Sequence, residues 1–193
     1  MLPDILPNIK NFEIYTSLES TGNHAEYTRY GMKFNEFIDN CESFLQRTPE
    51  KVRLNFMTTI NILSAPTLIE FLDIIKSLRI KYTVDKHNFR VRTHLSYLRW
   101  PQCLSLLLLS ENDKKKYSQE WTTYIDSYKL TPQHLNTEYF YLEEADQIYR
   151  LVNYMNSKKE ETFVYDDLRM YIQQCDERRK TNFSEIFPEP PKA

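Results

Sequence analysis

The sequence predicts an α/β protein in which parallel strands occupy the first half and helices dominate the second. Short runs of alternating apolar residues have the pattern of half-buried strands. Longer segments with apolar residues three and four apart, the period of an amphipathic helix, separate those runs. We therefore treat residues 1–100 as a unit of strands and helices. Residues 101–193 are then a strand and a mainly helical extension with an extended tail.

The first 100 residues alternate between strand and helix. Strands are predicted at 12–17 and 51–59, and a third either at 81–84 or at 89–95. Pro66 suits the first turn of a helix, where a missing N–H costs nothing. The apolar stripes of the two helices are Phe34, Phe37, Ile38, Cys41, Phe44 and Leu45, then Leu68, Phe71, Leu72, Ile75 and Leu78.

Strands linked by helices of this length form right-handed parallel crossovers. Such sheets bind ligands beyond the carboxyl ends of their strands. The polar residues predicted at those ends are Thr16, Ser17, Thr58, Thr59 and Asn61. A ligand site is therefore expected at this edge of the sheet.

The second half begins with the apolar run LSLLLLS at 104–110, which is either a buried strand or a buried helical turn. Its short length and the nearby Pro101 favour the strand. Three helices follow, and the closing FPEPPKA predicts an extended tail because clustered prolines cannot continue a helix. The helices are marked by Trp121, Tyr124, Ile125 and Tyr128; by Ala145, Ile148, Leu151, Val152 and Met155; and by Leu168, Tyr171, Ile172 and Cys175.

Several charged clusters in the second half have a structural explanation. Lys114, Lys115 and Lys116 stand among acidic residues, as at a solvated helix start. Glu138, Glu143, Glu144 and Asp146 precede or open a helix, where the helix dipole favours negative charge. The run from Asp176 to Arg179 is better explained as surface ion pairs than as a binding cluster.

Composition excludes several classes of protein. The chain has 25 basic and 27 acidic residues and a net charge of −2, so no nucleic-acid partner is expected. No apolar window is long enough for a membrane span and the N-terminus does not resemble a leader, so we expect a cytoplasmic protein.

The three cysteines, Cys41, Cys103 and Cys175, are too far apart for a local metal motif. Buried thiols are predicted for Cys41 and Cys175, which fall on apolar helix faces.

Familiar catalytic motifs are not found in the sequence. His24, His87, His94 and His134 form no HExxH arrangement, and no GxSxG or phosphate-binding glycine loop is present.

The two glycines, Gly22 and Gly31, both lie within residues 12–31. They mark either a specialised loop or an ordinary turn and helix stop.

The segments YTSLESTGNHAEYTRYGMKFNEFIDNCESF and VRLNFMTTINILSAPTLIEFLDIIKSL resemble the second half of a radical S-adenosylmethionine domain. Ser17, Leu18 and Glu19 are similar to the family's Ser-hydrophobic-Asp strand end, with Glu in place of Asp. The residues similar to its later elements are Glu26, Tyr27, Arg29 and Gly31, then Thr59 and Asn61. The rest of the chain is similar to the tails of twitch-type members, including phage-associated ones.

The resemblance implies half of a (β/α) barrel of parallel strands and specific roles for four residues. Ser17 and Arg29 would contact the methionine part of S-adenosylmethionine, since a guanidinium matches a carboxylate. Asn61 would contact the ribose or the backbone. Glu19 stands where some relatives place a catalytic acid near the substrate.

The chain lacks the Cys-x-x-x-Cys-x-x-Cys loop that holds the family's [4Fe-4S] cluster. One hypothesis is a split subunit or fragment of a radical enzyme, whose missing N-terminal half supplies the cluster. The other is a non-catalytic binding or scaffold module with a degenerate fold. A half barrel exposes a sheet edge, so the expected partner is that N-terminal half or a second copy of the chain.

Overall fold

Three parallel strands form the central sheet. The computed structural model describes residues 11–83, 89–129, 139–157 and 164–188. Strands β1 (Phe12–Ser17), β2 (Val52–Ile60) and β3 (Val91–Tyr97) lie in the order β1-β2-β3, and both neighbouring pairs are parallel. The predicted α/β class and parallel strands are therefore confirmed. The third strand takes the second of its two predicted positions, because residues 81–82 end the preceding helix.

Seven helices are described. They are α1 (Gly22–Thr28), α2 (Phe34–Arg47), α3 (Leu68–Tyr82), α4 (Glu111–Tyr128), α5 (Leu142–Met155), α6 (Val164–Arg179) and α7 (Phe183–Ile186). Short 3₁₀ turns lie at Ala65–Thr67, Gln102–Leu104 and Leu106–Leu108. The predicted helices of both halves are present, and α1 and α7 are short. None of the described helices is both long and apolar enough to span a bilayer.

Helices α2 and α3 cover the same face of the sheet. The ring of Phe56 on β2 contacts Phe37 of α2 and Phe71 of α3, with ring centroids 6.4 and 6.1 Å apart. Phe56 and Phe71 are fully buried. Two successive crossovers therefore place their helices on one side, and the strands follow one another across the sheet without reversing direction.

The opposite face of the sheet, here called the open face, carries polar and exposed side chains. Side chains alternate along a strand, so the register places Ser17, Met57 and His94 in one row across this face. Met57 and the nearby Tyr15 are 45% and 57% exposed. Arg53 pairs with Glu13 beside them, with 2.7 Å between Nη1 and Oε1.

Helix α5 closes the outer edge of β3. The backbone N–H of Thr93 donates to Glu144 Oε1 at 2.9 Å, and that of Leu95 donates to the side chain of Gln147. These acceptors satisfy edge donors that would otherwise invite another strand. The outer edge of β1 is the other end of the sheet, and its residues are mostly half-buried.

The apolar run at 104–110 is not the strand that its length favoured. Its backbone instead makes local hydrogen bonds, from Leu108 N to Ser105 O and from Leu109 N to Leu106 O, each 3.2 Å long. The Ser105 hydroxyl caps the second turn by accepting from Leu107 N. Consecutive turns bury several leucines without a neighbouring strand, so the helical-turn alternative is correct.

The C-terminal residues return to pack on α1. The ring of Tyr27 contacts Phe183 and Phe187 edge-on, with centroids 5.7 and 5.5 Å apart. Phe187 is buried although it opens the predicted extended tail, and the tail after residue 188 lies outside the described residues. One continuous hydrophobic core contains residues from the sheet and from helices α4 to α7.

The charged clusters of the second half lie at helix ends as predicted, but some of their residues make contacts that the sequence did not predict. Lys114 is buried on α4 rather than solvated, with its ammonium 3.1 Å from Glu111. Glu144 is a buried core residue and does more than face the helix dipole. Within the described residues, Asp176 accepts from the Thr181 hydroxyl and Phe183 N, while Arg179 donates to the carbonyl of Tyr27. These contacts tie α6 to its neighbours in place of the expected ion-pair network.

Candidate functional site at the carboxyl end of the sheet

Ser17 and Asn61 both stand at the carboxyl end of the sheet, at different heights. The register pairs Ser17 with Met57, so Asn61 lies four residues further along β2. That offset corresponds to roughly 13 Å along the strand direction. Ser17 is half-buried on the open face, whereas Asn61 belongs to the loop beyond the sheet.

Glu19 and Arg29 form a bidentate ion pair just beyond β1. The Nε and Nη2 groups of Arg29 donate to the two carboxylate oxygens of Glu19. The hydrogen bonds that Arg29 donates to Glu19 raise the pKa of Arg29, so the guanidinium stays charged. The arginine side chain is 38% exposed and the glutamate 14%. Two residues that the resemblance assigns to a cofactor and a substrate are thus in direct contact with each other.

Asn61 shapes the loop that connects β2 to α3. Its Oδ1 accepts from Leu63 N at 2.9 Å, and its own backbone N–H donates to the Ser64 hydroxyl at 2.9 Å. This is the local side-chain bonding by which asparagine forms turns. The oxygen of the amide is therefore engaged in the loop itself.

A cavity of about 440 Å³ lies among the segments that follow the three strands. Its walls come from α1, from the β2–α3 loop, from the start of α4 and from the C-terminal Phe187 and Pro188. The lining residues are His24, Ile62, Pro66, Thr67, Glu70, Leu109, Ser110, Asn112, Asp113, Lys116, Tyr117, Glu120, Phe187 and Pro188. It is here called the carboxyl-end cavity. Its location agrees with the site expected for a parallel α/β sheet.

Hydroxyl groups orient two carboxylates of this cavity. Thr21 donates its hydroxyl proton to Glu70 Oε2 at 2.6 Å. Ser110 donates to Asp113 Oδ2 at 2.7 Å and also caps α4 by accepting from Asp113 N at 3.1 Å. A hydroxyl donor fixes a carboxylate without neutralising its charge, so both groups remain available to a cation.

His24 gives the cavity an aromatic wall. Its ring lies against Phe187, with 4.2 Å between ring centroids. Burial lowers the pKa of His24 below its usual value, although the Ile186 backbone and Glu70 act in the opposite direction. The imidazole is consequently neutral at pH 7.

Of the basic residues of the cavity, the sequence singled out His24 only as one of several scattered histidines and Lys116 only as part of a basic run. Glu70, Asp113 and Glu120 belong to helices predicted for their apolar faces. The signal that could have identified them was position: each lies in a segment that follows a predicted strand. The order of those segments in space was not contained in the local pattern.

The described residues do not fit an iron–sulfur cluster. Cys41, Cys103 and Cys175 are all buried and belong to three different elements. Burial raises the pKa of the Cys41 thiol to about 11, which disfavours the thiolate that a metal requires. In the part of the chain that the structure describes, no three His, Cys, Asp or Glu side chains are grouped as metal ligands. His87, His134 and Glu138 lie outside it.

No protein-family model, curated protein or solved structure matches the chain. The resemblance to radical S-adenosylmethionine proteins therefore rests on the short motifs around Ser17, Arg29 and Asn61.

Proposed function

We propose that this chain is one part of a composite partial (β/α) barrel, and that a second chain extends the sheet from β1 and covers the open face. The observation that carries the proposal is the contact of Phe56 with both α2 and α3. Strands that advance in one direction with their helices on one face form a sector of a barrel. A doubly wound sheet instead reverses direction and carries helices on both faces.

The side chains of the open face support the proposal that a second chain covers this face. Tyr15 and Met57 present large apolar groups on a face that also holds the Glu13–Arg53 ion pair. Exposed apolar groups ringed by polar ones are typical of surfaces that bind another protein. Because α5 occupies the edge of β3, a completing chain would join at β1 and cover the face from there.

The proposed cofactor of the composite barrel is S-adenosylmethionine. The second chain would supply the [4Fe-4S] cluster. Two observations support binding by this chain. Ser17 faces the open side, and Glu19 occupies only two of the five N–H donors of Arg29. The remaining donors are accessible to the carboxylate of a ligand. Glu19 would then orient Arg29 as well as provide an acid near the substrate.

A second candidate function is a non-catalytic binding or scaffold module. The observation that favours it is that Asn61 and Arg29 already have partners within the chain. In such a module those residues stabilise loops and bind no cofactor. The two candidates differ in whether S-adenosylmethionine binds once the second chain is present.

The first experiment tests assembly. The chain is co-expressed with the product of a neighbouring reading frame that carries the three-cysteine loop, and complex formation is measured by light scattering. Met57→Asp should abolish the complex because it places a charge in the interface. Ile80→Asp is the matched control, since Ile80 is 50% exposed on the outside of α3. Absence of such a frame, or a complex that tolerates Met57→Asp, would overturn the split-subunit proposal.

The second experiment tests the cofactor. Calorimetry with S-adenosylmethionine is carried out on the complex and repeated with Arg29→Ala. Loss of a charge-assisted contact should weaken binding by roughly tenfold or more. Arg47→Ala, an exposed arginine in the last turn of α2, should leave the affinity unchanged. Equal affinity of the wild type and Arg29→Ala would remove Arg29 from the site and favour the binding-module alternative.

A further inference from the structure

The carboxyl-end cavity has the volume of a site for one small organic molecule. At about 440 Å³ it falls within the range of small-ligand sites. Ile62, Leu109 and Phe187 are buried residues that supply apolar surface to its walls. The ring of His24, tilted by 43° against that of Phe187, adds aromatic surface. A ligand that fills the cavity therefore needs an apolar part.

The net charge of the cavity determines which sign of charge a bound ligand carries. Glu70, Asp113 and Glu120 contribute three carboxylates, and Lys116 contributes one ammonium group. His24 is neutral at pH 7 and does not change this excess of negative charge. The cavity therefore repels anions and attracts cations.

The carboxylates are held in place without being neutralised. Thr21 directs its hydroxyl to one oxygen of Glu70, and Ser110 does the same for Asp113. Each carboxylate keeps a second oxygen for another donor. An ammonium group carries donors and no acceptor, so it can pair with the free oxygen of such a carboxylate.

We propose that the carboxyl-end cavity binds a small organic cation, an amine attached to an apolar or aromatic body. The apolar body lies against Phe187 and its neighbours, and the amine lies among the carboxylates of Glu70, Asp113 and Glu120. All of these groups belong to this chain. The site is therefore independent of the second chain required by the composite-barrel proposal.

Three probes of matched size and different charge test the proposal on the isolated full chain. They are 2-phenylethylamine, 2-phenylethanol and 3-phenylpropionate, titrated by calorimetry at low ionic strength. The amine should bind at least roughly fivefold more tightly than the alcohol, as expected for an additional ion pair. The propionate should bind most weakly. Equal or tighter binding of the alcohol or the propionate, or no binding of the amine, would overturn the proposal.

Charge variants locate the amine. Glu70→Gln and Glu120→Gln should each weaken binding of 2-phenylethylamine by roughly fivefold, and Lys116→Gln should strengthen it. All three residues are exposed enough for the fold to tolerate the change. Glu143→Gln, an exposed carboxylate on α5, is the control that removes the same charge away from the cavity. If Glu143→Gln weakens binding as much as Glu70→Gln, the effect is one of overall charge and the assigned site is wrong.

Discussion

Arg79 of α3 and Glu144 of α5 form an ion pair inside the core, although 65 residues separate them in the sequence. Arg79 is fully buried, and its guanidinium lies between the rings of Phe89 and Phe140, 5.0 and 4.8 Å from their centroids. Its Nε also donates to Val91 O at 2.7 Å. Glu144 in turn accepts from the backbone of β3. The pair therefore joins the sheet, α3 and α5 at one point.

Removing one partner of this pair should be strongly destabilising. Glu144→Ala leaves a buried guanidinium without its carboxylate and frees the Thr93 N–H at the edge of β3. We expect a loss of about 3–5 kcal/mol in the free energy of unfolding, measured by urea denaturation. Glu143→Ala, the exposed neighbour, should change stability by less than about 0.5 kcal/mol. A loss below about 1 kcal/mol for Glu144→Ala would contradict the structural role.

The Glu19–Arg29 pair should contribute little to stability. Because the arginine side chain is 38% exposed, solvent screens the interaction, and a coupling below about 1 kcal/mol is expected. A double-mutant cycle with Glu19→Ala and Arg29→Ala measures this coupling directly. The free energy of unfolding of Arg29→Ala, measured in the same cycle, shows whether this variant is folded enough for the cofactor experiment. A coupling of several kcal/mol would instead indicate a structural core pair.

Substituting either glycine should lower the stability of the chain because both have positive φ. Gly31 has φ of +89° and Gly22 has φ of +50°, and an added Cβ would meet nothing within 4 Å at either position. The loss of stability on substitution therefore comes from the backbone conformation and not from a steric clash. Gly31→Ala should destabilise the chain by about 1 kcal/mol. Gly22→Asn should cost less than Gly22→Ala in thermal unfolding, because asparagine adopts the left-handed region more readily. Equal costs for Asn and Ala at Gly22 would argue against the left-handed conformation.

His24 should make stability depend on pH. Burial lowers the pKa of His24 below its ordinary value of 6.5, so the unfolded chain binds more protons than the folded one as the pH falls below that value. The stabilising effect of the neutral ring is present above pH 6.5 and is lost progressively on acidification. His24→Gln should therefore lose less stability than the wild type between pH 7.5 and 5.5, as measured by urea unfolding. If the wild type and His24→Gln lose the same stability between the two pH values, His24 does not contribute to the pH dependence of stability.

The cysteines should react slowly in the native protein. Cys41, Cys103 and Cys175 are all buried, and burial raises the pKa of Cys103 as well as that of Cys41. A disulfide reagent at pH 8 needs the thiolate and access to it. We expect labelling to be limited by unfolding, and to become rapid for all three thiols in denaturant. Rapid native labelling of one thiol would identify a more open environment than the structure gives it.

The helices and the parallel strands could be predicted because their signal is local. Alternation in Val52, Leu54 and Phe56 and helical spacing in Phe71, Leu72 and Ile75 follow directly from which side of an element faces the core. The same rule placed the buried thiols of Cys41 and Cys175. The run at 104–110 was misassigned because a continuous apolar segment has no period that separates a strand from a turn.

The sequence by itself determined the class of the fold and the edge of the sheet at which a ligand site was expected. Only the tertiary structure decided which side chains meet there. Glu70 joins the carboxyl-end cavity, while Arg29 turns to Glu19 and Asn61 to its own loop. The physical reason is that periodicity reports burial along one element, whereas a site is made by residues from several elements. Their meeting depends on how α1, α3 and α4 pack, which no local pattern contains.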